Sequence, residues 1–384
     1  MGSTGTARRG WFIEVSNFAQ IAQSKLSLGD LTLLVGPQAT GKSLELQLLK
    51  LAMYRRQIVD TLQQNAFFWH GVRGFLAVYL GEGLGEGWRS RSSVRTHAGP
   101  LKLPVRAPTR SSASLIQPRV FYLPAQRSVV MAEGWPRPFT QFMPDTPFVV
   151  REFSEDLRLL ADSTATAPHG APPWLSSVFS DAIFHGGTLR MEVSGARRRF
   201  VIEYATGSVP FMAWSAGQRE FVPLLLGLMH LLPGGDLRPG VEAVIIEEPE
   251  MGLHPEGILA VMLLVLELLR HGYRVVISTH SPVLVDVVWA LGRLKEHHAP
   301  WTAVADLFAL QGRQRKAIRP LASRALQLDT RAYYMGYRDD RVRSLDMSSL
   351  DPGSDRPEVA GWGGLTGLSG RIGDVVAHAV NSSR

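Results

Sequence analysis

The 384-residue chain contains no cysteine. That excludes disulfides and thiolate-bound metals and fits a cytoplasmic location. The N-terminal segment lacks the apolar stretch of a secretory signal. The longest apolar run, Ile258 to Leu269, carries Glu267 and is too short to span a bilayer, so it reads as a buried helix and no membrane partner is expected. Between Ser43 and Ser215 there is no sustained heptad pattern, which argues against a coiled-coil arm, and no repeat of solenoid period is found. Acidic residues are in the minority, 34 against 41 lysines and arginines, for a net charge of +7. Such an excess suits an acidic partner such as nucleic acid, and equally an unremarkable basic surface. Hydrophobic residues make up 45%, enough for a sizeable core, and the length allows more than one domain.

What is present is concentrated in a few short segments. Leu31 to Val35 is apolar and runs into Gly36-Pro37-Gln38-Ala39-Thr40-Gly41-Lys42-Ser43, after which leucines recur at helical spacing to Tyr54. Strand, glycine turn and helix form the context in which GxxxxGK[ST] holds a phosphate. The turn aims backbone N–H groups into one concavity, and the helix start adds its partial positive charge. Lys42 would reach the β- and γ-phosphates, and Ser43 would offer its hydroxyl to Mg²⁺.

A second apolar strand, Ala243 to Ile246, ends in Glu247, Glu248, Pro249 and Glu250. Carboxylates at the C-terminal end of a buried parallel strand lie where open α/β sheets bind ligands. Glu247 stands in the usual position of a metal-holding aspartate and is one methylene longer; Glu248 stands where a general base would polarise water. A third strand, Val275 to Ile277, leads into Ser278-Thr279-His280-Ser281-Pro282, and His280 becomes a candidate sensor of the γ-phosphate and the attacking water. His254, in Gly-Leu-His-Pro, suits a structural or an interface role equally.

Together with Ser215-Ala216-Gly217-Gln218, these segments resemble the ABC-type ATPases of the RecF, SMC and OLD (overcoming lysogenization defect) group, especially its stand-alone bacterial members. The resemblance implies an α/β fold: a P-loop NTPase head with a mixed central sheet, an antiparallel subdomain and a helical lobe, without a long coiled coil. It implies ATP and Mg²⁺ as cofactors and a head-to-tail homodimer. In that dimer Ser215, Ala216, Gly217 and Gln218, at the start of a helix running to Leu232, close over the partner's nucleotide. It makes Gln126, in Phe-Tyr-Leu-Pro-Ala-Gln-Arg, the Q-loop residue at the metal, with Arg127 beside it as a phosphate or partner contact. The chain departs from the family at Gln38-Ala39, where Asn-Gly is usual, at Ala216 for glycine, and at Glu247 for aspartate. No catalytic group is lost by these changes.

Along the chain the expected organisation is one ATPase head. Residues 1–80 hold the N-terminal sheet and glycine-turn helix, and 81–119 a basic, flexible insertion with Arg89, Arg91, Arg95, Lys102, Arg106, Arg110 and Arg119. Residues 120–214 hold the Q-loop, helices through 130–186 and a hairpin around Ala196, with arginines 197–199 at its tip. Residues 215–320 carry the signature, acidic strand and His280, and 321–384 a hairpin turning at Asp339-Asp340 and a last helix. No Glu plus Asp-x-Asp arrangement of a TOPRIM nuclease follows His280, so any such nuclease is expected on a separate chain. By the resemblance, the chain is an ATP-driven switch acting on an effector protein or double-stranded DNA in bacterial anti-phage defence. A RecF-like repair ATPase, a transporter's nucleotide-binding subunit and a non-hydrolysing scaffold are the alternatives.

Overall fold

Leu31–Val35, Arg274–Thr279, Val241–Glu247 and Arg119–Leu123 are apolar nearly throughout and buried, and they pair in parallel. Strands covered on both faces lose the inside–outside alternation, which is why these read as plain apolar runs. The computed structural model describes residues 10–104, 119–163, 172–195, 197–232 and 240–382.

These strands belong to a ten-stranded mixed sheet. Its order is Gly99–Pro100, Trp88–Thr96, Trp11–Phe18, Ile21–Leu28, Arg341–Asp346, Thr330–Arg338, Leu31–Val35, Arg274–Thr279, Val241–Glu247 and Arg119–Leu123. The first four strands are antiparallel, and Trp11–Phe18 alternates buried and half-buried residues, as expected of a sheet with one face on the core. Thr330–Arg338 and Arg341–Asp346 form a hairpin whose turn residues, Asp339 and Asp340, have φ of 49° and 60°. Positive φ at both positions gives a primed turn, whose twist matches the strands it joins.

The helix Lys42–Gln64 packs on the Trp88–Thr96 and Arg119–Leu123 strands, and the almost wholly buried helix Pro255–Arg270 packs on Arg274–Thr279. A lobe is built from the helices Phe148–Ser163 and Ala216–Leu231, which touch, and a three-stranded antiparallel sheet, Thr188–Ser194, Arg197–Tyr204 and Gly207–Pro210. A buried Lys50–Glu152 ion pair ties the lobe to the first helix, and Lys50 Nζ also donates to Val120 O at 3.1 Å.

Two expectations change. The stretch 81–119 is not a loose insertion over its described part, because Trp88–Thr96 pairs with Trp11–Phe18 and extends the main sheet. In this strand Arg89, Arg91 and Arg95 are exposed, so their polarity reflects one face of a strand. Arg106 and Arg110 lie outside the described residues, as does Ala196 at the lobe's hairpin. Residues 130–186 are also less helical than expected: Met131–Ala132 and Trp135–Pro136 pair as a short ribbon, and Pro173–Phe179 runs into a π-helical turn, Ser180–Phe184.

Candidate functional site

Strand register assembles the site. Thr279 lies opposite Val35, Glu247 opposite Ser278, and Ile246 opposite Leu123. The strands therefore end level, and the residues that follow, Gly36, His280, Glu248 and Pro124, stand in a row along one edge of the sheet. Segments far apart in the chain meet because the sheet interleaves them.

The glycine turn has Gly36 at φ 153°, Ala39 at 60° and Gly41 at 85°. A Cβ on Gly36 would lie 2.2 Å from Met335 O, so only glycine lets the turn pass that carbonyl. Ala39 accepts a left-handed conformation that costs an L-residue roughly 1–2 kcal/mol. Its carbonyl accepts from Gln20 Nε2 and Tyr337 Oη, each at 3.2 Å, which braces the turn from outside. Pro37, Gln38 and Ala39 are exposed, and Thr40 is buried with its hydroxyl donating to Pro37 O at 2.9 Å. Lys42 Nζ donates to Gly36 O and Pro37 O, both at 2.8 Å, so the ammonium lies within the turn. Burial lowers its pKa to about 8, against the opposing pull of Glu248, Glu250 and Glu247.

Next to the turn, Glu247 is almost wholly buried and accepts from Tyr122 Oη at 2.6 Å and from Ala125 N at 3.1 Å, with the Ser43 hydroxyl beside it. Burial pushes its carboxyl up, and these donors pull it back only in part. A hydroxyl and a desolvated carboxylate in contact suit a hard divalent cation, whose charge would offset the burial that now disfavours ionisation. Gln126 is exposed, and the residue before it makes the bond to Glu247.

Glu248 has φ 41°, an uncommon value for a residue with a side chain, and its N–H donates to Ser278 O at 2.8 Å. His280 Nε2 lies 3.6 Å from Glu248 Oε1. Burial, then the Lys42 charge, lowers the His280 pKa, and Glu248 works the other way. Glu250 fixes the histidine's backbone: its Oε1 accepts from Thr279 Oγ1 and His280 N, each at 2.7 Å. His254 is exposed at the N-terminus of the helix Pro255–Arg270.

Ser215 caps the helix Ala216–Leu231 through a capping box: Gln218 N donates to Ser215 Oγ at 3.2 Å, and Ser215 N to Gln218 Oε1 at 3.0 Å. Ser215 and Ala216 are exposed, so this helix N-terminus faces outward. Gly217 packs on the loop after the acidic strand, where a Cβ would lie 2.4 Å from Gly252 O. A P-loop strand beside the His280 strand, the acidic strand beyond it, and a serine-capped helix in an attached lobe decide the architecture. The fold is the mixed α/β architecture that the sequence resemblance implies, a mixed central sheet with an antiparallel sheet and helices in an attached lobe.

Residues 161–286 match the family described as "AAA domain, putative AbiEii toxin, Type IV TA system". The matched stretch takes in Ser215–Gln218, Glu247, Glu248 and His280 and does not reach the glycine turn. No curated protein matches the chain. Among solved structures, the chain is similar to the SMC head domain from Thermotoga maritima, at 11% identity over 88% of this chain and 98% of that one, with a TM-score of 0.39. It is also similar to an SMC head solved bound to the C-winged helix domain of ScpA, at 9% identity over 88% and 97% of the two chains, with a TM-score of 0.43.

Sequence reasoning misses Tyr122, Glu250 and the part played by Arg127. Arg127 is fully buried and bonded to backbone carbonyls, so it is not free to contact phosphate or a partner. Nothing in Tyr-Leu-Pro-Ala-Gln-Arg separates a buried arginine from an exposed one. Glu250 carried a visible signal, a third carboxylate in Glu-Glu-Pro-Glu, but its partners come from another strand.

Proposed function

We propose that this head binds and hydrolyses ATP and works as a switch that closes into a head-to-tail dimer around the nucleotide. The observation that carries the reading is the row Lys42, Ser43, Glu247, Glu248 and His280 along one sheet edge, with an exposed serine-capped helix on the attached lobe. Gly36, Pro37, Gln38, Ala39, Thr40 and Gly41 would wrap the phosphates with their backbone N–H groups, and Lys42 would turn from Gly36 O and Pro37 O to the β- and γ-oxygens. Ser43 and Glu247 would hold Mg²⁺, with Gln126 near enough in sequence to join them. Bound there, the ion supplies neutralisation of phosphate charge. Glu248 would take the proton of the attacking water, and His280 would orient that water against the γ-phosphate. Ser215, Ala216, Gly217 and Gln218 of a second copy would close the site from the far side.

An effector protein in bacterial anti-phage defence, a TOPRIM-type nuclease on a separate chain among the candidates, is the partner this reading favours. The description of the matched family, a toxin of a toxin–antitoxin system, supports that setting. A second reading, action on double-stranded DNA, draws on Arg89, Arg91 and Arg95 exposed on the Trp88–Thr96 strand. It predicts binding that ATP tightens and salt weakens steeply.

The deciding experiment is a solution-mass measurement with a non-hydrolysable ATP analogue, beside a phosphate-release assay. A doubling of mass that needs the analogue, with release that Lys42→Ala abolishes, is expected. A filled pocket on a chain that stays single would overturn the switch.

A further inference from the structure

The most heavily bonded buried cation near the site is Arg127, and the reaction outlined above does not use it. Its guanidinium donates through Nη1 to Glu247 O at 2.6 Å and to Pro124 O at 3.1 Å, through Nη2 to Glu248 O at 2.9 Å, and through Nε to Glu220 O at 3.1 Å. The Glu220 carboxylate completes the joint by accepting from Arg127 N at 3.2 Å and Ser128 N at 3.4 Å. One planar fork thus grips three things: the turn after the Arg119–Leu123 strand, the two peptide carbonyls at Glu247 and Glu248, and the helix Ala216–Leu231.

Two features make this more than packing. Glu248 sits at φ 41°, and strained backbone persists only where its surroundings over-determine it. Arg127 binds the carbonyls on either side of that strain, while Met251 N binds Glu248 O again at 3.1 Å. The other end of the strut is Glu220, on the helix whose first turn is Ser215 to Gln218, the segment proposed to cap the partner's nucleotide. A guanidinium with fixed donor directions transmits a shift of one carbonyl to its other acceptors, whereas a lysine ammonium would swivel.

Resting on the ATP-switch reading, we infer that Arg127 is a positioning residue that couples the Glu247–Glu248 turn of one site to the capping helix serving the other. Occupancy of a head's own pocket moves the turn, the guanidinium carries the motion to Glu220, and the helix start changes its pose toward the partner.

The test is hydrogen exchange by mass spectrometry on the full chain, with and without the ATP analogue, in the wild type, Glu220→Ala and Arg127→Lys. The wild type is expected to gain protection in the glycine turn and in 216–231. Glu220→Ala, which removes the carboxylate accepting from Arg127 N and Ser128 N but keeps the Glu220 carbonyl on the guanidinium, keeps the first gain and loses part of the second. Its turnover is expected to fall about tenfold with KM within about threefold, the size of a lost inter-site coupling. Arg127→Lys is expected to repeat that pattern. If it fails to fold, Glu220→Ala carries the test alone. Equal protection of 216–231 in the wild type and in every folded variant would overturn the inference. Absence of protection in the wild-type glycine turn would instead remove the ATP reading itself.

Discussion

His280 Nε2 and Glu248 Oε1 stand 3.6 Å apart, each at the end of one of two paired parallel strands. In the reaction proposed above, a carboxylate at one strand end and an imidazole at the next would address a single water between them and the γ-phosphate. The geometry comes from register, since Glu247 opposite Ser278 sets the following residues side by side.

Glu248→Gln keeps the shape of the carboxylate and removes its basicity. The variant is expected to bind ATP, to accumulate as the closed dimer, and to release phosphate about 10²-fold or more slowly than the wild type. Size-exclusion chromatography with ATP, beside a phosphate assay, reads both effects. Normal release by this variant would move the base elsewhere.

The lowered pKa of His280 keeps its ring neutral at pH 7 and into more acidic solution than an ordinary histidine. Neutral is the working form proposed here, so the acid limb of the pH–rate profile should lie below pH 6.5. His280→Gln should slow turnover and abolish that limb. An unchanged limb in the variant would assign the titration to another group.

Lys42 titrates at about 8 in the free protein because it is buried. Above that pH the free head carries a neutral amine, so ATP must bind together with a proton. Affinity should therefore fall by about tenfold per pH unit above pH 8, and binding should take up a proton there. Calorimetry in buffers of different ionisation enthalpy measures the uptake. Lys42→Met should show no proton uptake and little affinity at any pH.

Glu45, in the first turn of the glycine-turn helix, is fully buried, and burial raises its pKa to about 8 against a hydrogen bond from Ser24 Oγ at 2.6 Å. Its folded pKa lies above its unfolded one, so the native state holds the extra proton. The resulting stability is complete below about pH 4.5 and is lost as pH rises to about 8. Glu45→Gln should flatten the fall in Tm between pH 5 and 8 and leave the variant more stable at pH 8, by a few kcal/mol at the order-of-magnitude level. Parallel Tm curves for the two proteins would show that Glu45 is charged in the fold.

Local chemistry was legible in the chain itself. Glycines at 36 and 41 around a turn, apolar runs ending in Glu247 and in Thr279, and a serine three residues before Gln218 each specify a backbone conformation within a few residues, because sterics and capping act over that distance. Tertiary structure decided which of these segments became neighbours. Pairing of 31–35 between 274–279 and 330–338 joins residues hundreds of positions apart, and no short-range pattern encodes that choice. The same holds for Tyr122 on Glu247, for the Trp88–Thr96 strand that reads as a basic loop, and above all for Arg127. A side chain's period along the chain says which face it takes. Whether that face meets water or four carbonyl oxygens depends on what the rest of the fold lays against it.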